Sequence, residues 1–208
     1  MRFDGVRRGR ANGLLIAAIV VSCACSRVQS PTGHPGAARR GTTSFYDEGR
    51  DWFIGVDARA AILRGKAEFL PLQVVLVDKK AGSAAVTRES FLLETPEGVQ
   101  LPVVSWGEFR RDYRRDRADL RIGQEFVENL TTRFAAPPYS WRELEFFPPR
   151  NSATPPRDML DLRRGDLAFG YLYFRVPSVA GSWSGGTYKL LVRPFPGDAT
   201  YVVDVSLF

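Results

Sequence analysis

The sequence predicts a mainly β protein, an antiparallel β-sandwich interrupted by a helical insertion around residues 106–134. Three observations predict it. Short apolar segments recur between residues 52 and 104 and again after residue 167, separated by clusters of Gly, Pro, Asp and Lys. Between them Ile122, Phe126, Leu130 and Phe134 recur every four residues, which is one stripe of a helix. Finally, residues 167–176 (LAFGYLYFRV) are apolar on both faces, whereas a sandwich strand normally leaves one face wet. Something must cover that second face, and the helical stripe is the natural cover.

Ahead of this domain the first 22 residues have the three-part build of an export signal. Arg2, Arg7, Arg8 and Arg10 form a positive head, residues 13–21 (GLLIAAIVV) are uncharged and apolar, and small residues with Cys23 and Cys25 follow. The apolar run is about nine residues, roughly half of what a bilayer core requires. Four arginines against Asp4 also place half of the +6 formal charge in this leader. The net charge of the remainder therefore gives no reason to expect a nucleic-acid partner.

Residues 20–23 (Val-Val-Ser-Cys) resemble the lipobox of bacterial lipoproteins. The resemblance implies cleavage before Cys23, a thioether-linked diacylglycerol on its sulfur and acylation of the new amino group. Several acyl chains anchor stably where one is marginal. The expected location is the cell envelope, lipid-anchored outside the cytoplasm, and the alternative is ordinary cleavage that releases a soluble secreted protein. Residues 23–44 then form a disordered tether: from residue 26 they are rich in Gly, Pro, Ser and Thr and hold almost no large apolar side chain. His34, the sole histidine, lies in it. The expected organisation is thus a signal peptide at 1–22, a tether at 23–44 and one domain at 45–208.

Within that domain, Trp52, Ile54, Val56, Ala58, Ala60 and Ile62 alternate and predict a first strand. Arg64-Gly65-Lys66 turns into a stronger strand at 70–77 (LPLQVVLV), closed by a turn at 78–83. A strand at 90–94 (SFLLE) follows, then Pro96-Glu97-Gly98, where Pro fixes φ and Gly permits positive φ, and a return at 99–104. The insertion reads as one or two helices, with Phe109 and Tyr113 at the same spacing and Gly123 as a break. Proline pairs punctuate 135–156, and Ser140 with Glu143 has capping-box spacing, so a helical turn and a strand compete over 141–147. Residues 161–165 turn into the 167–176 strand, and strands at 188–192 and 201–207 close the sheet.

The run Gly165, Leu167, Phe169, then Tyr173-Phe174-Arg175-Val176-Pro177, followed by Tyr188-Lys189-Leu190-Leu191-Val192, resembles the C-terminal strands of bacterial extracellular immunoglobulin-like domains of unknown function, a group related to secreted immunoprotective antigens. The earlier LPLQVVLVDKK and SFLLETPEGV runs fit the same plan. The resemblance implies an immunoglobulin-like sandwich and transfers no catalytic residue.

The chemistry-bearing residues point away from catalysis. The domain has neither histidine nor cysteine, which removes the usual zinc sites and the Ser-His and Cys-His nucleophile systems. Asp158, Asp161 and Asp166 match no calcium loop, and Glu143 with Glu145 are the carboxylates a hydrolase alternative would use. No enzyme, cofactor or metal is expected. The expected role is a binding or accessory module, with an unknown envelope protein or glycan as partner and a structural subunit of an envelope assembly as a further alternative. Two candidate surfaces stand out. Arg110, Arg111, Arg114, Arg115 and Arg117 form a candidate anionic-ligand patch, competing with a solvated helix face stitched by Glu108–Arg111 and Asp112–Arg115 pairs. Trp183, in a Gly/Ser loop, is a candidate binding aromatic.

Overall fold

The fold is organised by one sheet whose central strands have no wet face. The computed structural model describes residues 43–65, 67–79, 83–134, 139–150, 152–177 and 185–208. The expectations for the leader, for Cys23 and Cys25, for nearly all of the tether, and for Trp183 fall outside them. The principal sheet runs in the order β1 (Ser44–Glu48), β2 (Trp52–Asp57), β3 (Phe69–Asp78), β9 (Asp166–Arg175), β7 (Ser140–Glu143). A second sheet runs β11 (Tyr201–Leu207), β10 (Gly186–Val192), β5 (Phe91–Glu94), β6 (Gln100–Pro102), and β4 (Ser83–Thr87) pairs with β8 (Met159–Arg163) in a two-stranded ribbon. The helices are α1 (Arg59–Leu63), α2 (Trp106–Asp112) and α3 (Asp116–Arg133).

Period-two alternation sorts the side chains of the principal sheet. Ile54, Val56, Leu70, Leu72, Val74, Leu76, Leu172 and Phe174 face the second sheet, where they meet Phe91, Leu93, Leu190, Val192, Val203 and Val205. The opposite face carries Phe53, Val75, Val77 and Leu167 against Phe126 and Leu130 of α3. Further along it, Phe69, Tyr171 and Tyr173 meet Phe109 of α2, Tyr113 and Ile122. The helical stripe is therefore the cover the sequence called for. As a result all ten residues of β3 are buried. Each large apolar side chain taken from water contributes about 1.5–3 kcal/mol, which is what holds the insertion down.

Two glycines permit close packing on the principal sheet, Gly123 under the helical cover and Gly170 on the opposite face, which meets the second sheet. A Cβ on Gly123, inside an uninterrupted α3, would lie 2.2 Å from Gln73 Oε1 and 2.4 Å from Tyr171 Oη. A Cβ on Gly170 would lie 2.7 Å from Leu144 Cβ and 3.2 Å from the Leu144 carbonyl oxygen. Gly123 thus marks a close approach and not a helix break; the break falls between Asp112 and Asp116.

Other expectations are corrected. The first predicted strand stops at Asp57, and α1 takes over, because Ala60 and Ala61 are both buried in a helical turn that alternation cannot represent. A strand, β1, begins at Ser44, the residue expected to end the tether. It pairs antiparallel with β2. Ser83, expected in a turn, opens β4, and Asp161 lies inside β8 instead of a turn, because each strand supplies the other's backbone partners. The sheet is not wholly antiparallel: β7 runs parallel to β9. Gly98 does occupy positive φ (83°) in the β5–β6 turn.

Gly170→Ala should destabilise the fold by about 1–3 kcal/mol, since backbone of the β7 segment stands where the methyl must go. Urea unfolding measures this; an unchanged midpoint would contradict the close packing.

Candidate functional site

The helical insertion does more than cover a sheet, because it sorts its charges. Ser105 caps α2: its Oγ accepts from Glu108 N–H at 3.2 Å, while Glu108 Oε2 accepts from Ser105 N–H at 2.9 Å and Ser105 O–H at 2.7 Å. Those bonds hold the Glu108 carboxyl below its ordinary range. Phe109, fully buried, anchors the helix with its ring centroid 4.5 Å from that of Tyr173 and 4.8 Å from that of Phe147. At the other end the Arg150 guanidinium donates to the carbonyls of Phe109, at 3.2 Å, and of Tyr113. A cation on exposed C-terminal carbonyls satisfies them and complements the helix dipole.

After a turn through Tyr113–Arg115, α3 opens with two acids, Asp116 and Asp119, where the helix N-terminus favours negative charge. Both are buried. The Asp119 carboxylate accepts from Tyr113 O–H and pairs with Arg64 Nη2 at 3.2 Å, and its backbone carbonyl accepts from Tyr171 O–H at 2.5 Å. Burial pushes the Asp119 carboxyl up, with Tyr113 and Arg64 opposing. Burial and the adjacent Asp119 push the Tyr113 phenol up. This cluster adjoins a polar row on the covered sheet face, where Asp57, Gln73 and Tyr171 pair across β2, β3 and β9. Gln73 Oε1 is buried and, among the described residues, has no hydrogen-bond partner. Burial raises the Asp57 carboxyl, with hydrogen bonds to Thr43, Ser44 and the Arg59 backbone and the charge of Arg59 opposing.

The remaining acids are drawn aside by Arg175. It lies against Asp112, 2.8 Å from Glu68 and 3.7 Å from Glu108, with its guanidinium 4.9 Å from the Phe69 ring centroid. The expected Asp112–Arg115 pair does not form, because α2 ends at Asp112 and the two residues share no helix. Asp112 takes Arg111 (2.9 Å) and Arg175 instead, and Glu108 faces Ser105 and Arg175. Arg111 is therefore neutralised. Arg110, Arg114, Arg115 and Arg117 are exposed, as is Arg121 one turn on, and among the described residues no ion pair holds them. Arg150 joins this corner: its guanidinium is pulled below the usual value by burial, then by Arg114 and Arg110, with Asp116 opposing. Sequence reasoning missed Arg150, since it lies far along the chain. It also missed the buried Asp57–Gln73–Tyr171 row, although an Asp and a Gln inside apolar strands were the available signal. The Ser105-x-x-Glu108 capping box was a further legible signal for the start of α2.

The other candidates disperse into structural roles. Asp158 pairs with Arg88 at 2.7 Å, Asp161 is exposed on β8, and Asp166 accepts from Arg163 N–H at 3.0 Å. Among the described residues no group of three or more His, Cys, Asp or Glu is placed to hold a metal. Glu145 is bound to Arg157 at 2.7 Å, and Glu143 is exposed on β7. Trp52 is buried against Tyr201, and Trp106 packs on Phe109. The described residues contain no helix long and apolar enough to cross a membrane. No family model, curated protein or solved structure matches the chain.

Asp119 sets a signed pH dependence. With its folded-state pKa raised above the ordinary 3.8, its contribution favours the fold below that value and is lost as pH rises through the raised one. The stability advantage of the parent over Asp119→Asn should therefore be greatest in acid. It should shrink with rising pH, by about 1.4 kcal/mol for each pH unit that separates the unfolded and folded pKa values. Denaturant unfolding of both proteins across the acidic range checks this, and an advantage that grows with pH contradicts it.

Proposed function

We propose that this chain is a lipid-anchored protein of the bacterial cell envelope whose immunoglobulin-like sandwich acts by binding rather than by catalysis. The observation that carries the binding reading is the arginine corner. Its acids are buried, drawn off by Arg175 or, at Glu125, paired with Arg59 of α1, leaving Arg110, Arg114, Arg115, Arg117 and Arg121 exposed on one helical elbow. Guanidinium groups pair bidentately with phosphate, sulfate and carboxylate, so the ligand it suits is anionic. The lipobox-like Val20-Val21-Ser22-Cys23 supports the anchor, and two facing sheets over one apolar core support the immunoglobulin-like reading. Partial desolvation and then the nearby Glu145 raise the Glu143 carboxyl, but Glu145 is committed to Arg157 and the aspartates are dispersed, so neither set favours a hydrolase.

The anchor is tested by Cys23→Ser. The parent should fractionate with membranes and incorporate labelled fatty acid, and the variant should lose both. Membrane association that survives without lipid labelling would sink the anchor. Crosslinking in intact cells, followed by recovery of the partner, tests the binding reading separately.

A further inference from the structure

We infer that the arginine corner and α1 together form a face that rests on the anionic phospholipid headgroups of the membrane holding the chain. The inference rests on the anchoring reading above and names the partner of its binding surface. Its first support is where the chain enters the fold. Ala58 N–H donates to Thr43 C=O at 2.9 Å, and Ser44 pairs with Asp57, so the segment that follows Cys23 reaches the domain beside α1. That is the end of the principal sheet where β2 finishes, β3 begins at Phe69 and β9 finishes at Arg175.

The arginines lie at the same end. Asp112, closing α2, is held by Arg175, and Asp119, in the first turn of α3, is held by Arg64 just beyond α1. In contrast, the far end of α3 packs Phe134 on Phe53, near the start of β2. An anchored chain would therefore present Arg110, Arg114, Arg115, Arg117 and Arg121 on the side from which its anchor leaves.

The second support is apolar. Leu63 is 62% exposed and Leu120 43% exposed, and they adjoin the two partners of the Arg64–Asp119 ion pair. Leucines set among arginines suit a lipid interface, where aliphatic groups enter the headgroup boundary and guanidinium groups snorkel to phosphate. A soluble anionic glycan would reward the arginines and leave the leucines without a role. The charge also matches the physics of anchoring, because an acyl anchor with a basic patch holds better than either alone.

The test uses the full chain carrying Cys23→Ser, so that no acyl group contributes, sedimented with vesicles of phosphatidylcholine alone or containing phosphatidylglycerol. The leader is common to every sample and cancels in the comparison. Binding should favour the phosphatidylglycerol vesicles and weaken with salt. At about fivefold for each arginine near the surface, replacing Arg110, Arg114, Arg117 and Arg121 by Gln should lower it by up to several hundredfold. Lys at the same positions should retain most of it. Leu63→Ser with Leu120→Ser should cause a smaller loss that persists in high salt. Circular dichroism confirms that each variant is folded. Unchanged phosphatidylglycerol binding by the Gln variant overturns the inference. So does heparin binding without any preference for phosphatidylglycerol, which would assign the corner to an anionic glycan. Lipid labelling of the unsubstituted chain reports on the anchor independently, so the two readings can fail separately.

Discussion

The structure depends on one sheet whose central strands are dry on both sides. β3 and β9 are too apolar to leave either face in water, and burial of a large aliphatic or aromatic side chain is the strongest favourable term available to a fold without disulfides. The second sheet removes the inner face. The outer face would otherwise be an exposed apolar surface of the kind that drives association. The insertion exists to close it, and its two helices follow the distribution of aromatic residues beneath them. Phe109 meets Tyr173 and Phe147, while Phe126 and Leu130 meet Phe53 and Val75. Gly123 is the point where that closure left no room for a side chain.

Burying a face also buries whatever polar groups lie on it. Asp57, Gln73 and Tyr171 interrupt the apolar surface at one level, and Asp119 comes down on them from α3. The fold meets the cost of desolvation with partners: Tyr113 and Arg64 for the Asp119 carboxylate, the Asp119 carbonyl for Tyr171. This inward traffic of acids has an outward counterpart. Every carboxylate of the insertion that is spent on burial, capping or Arg175 is one that no longer screens its neighbouring arginines. The basic corner is thus a by-product of how the cover is fastened.

Much of this was legible in the sequence. The two-faced apolarity of residues 167–176 announced a covered sheet, and the spacing of Ile122, Phe126, Leu130 and Phe134 named the cover. What escaped were features decided by tertiary contact. Ser105 with Glu108 and Ser140 with Glu143 share the same capping-box spacing, yet the first caps α2 and the second lies in β7. The difference is supplied by β9, whose free edge carbonyls accept from Ser140 and Leu144 through Gly165 and Phe169. Alternation through Ala58, Ala60 and Ile62 could not distinguish a strand from a short helix, because small residues suit both. Nor could any local pattern bring Arg150 to the end of α2 or assign Asp112 to Arg175.

The pairing of β3 with β9 carries a kinetic consequence. The register from Phe69↔Arg175 to Val77↔Leu167 joins segments separated by β4, β5, β6, the whole insertion, β7 and β8. Loop closure across such a span comes at an entropic cost that must be met before the contact rewards it. Until then each segment is a ten-residue apolar strand with open edges and two bare faces, the form in which chains associate with one another. The nascent chain therefore passes through a window in which its best core strands are its most adhesive surfaces. Helices α2 and α3, synthesised between the two strands, are positioned to shield the first while the second is still to come.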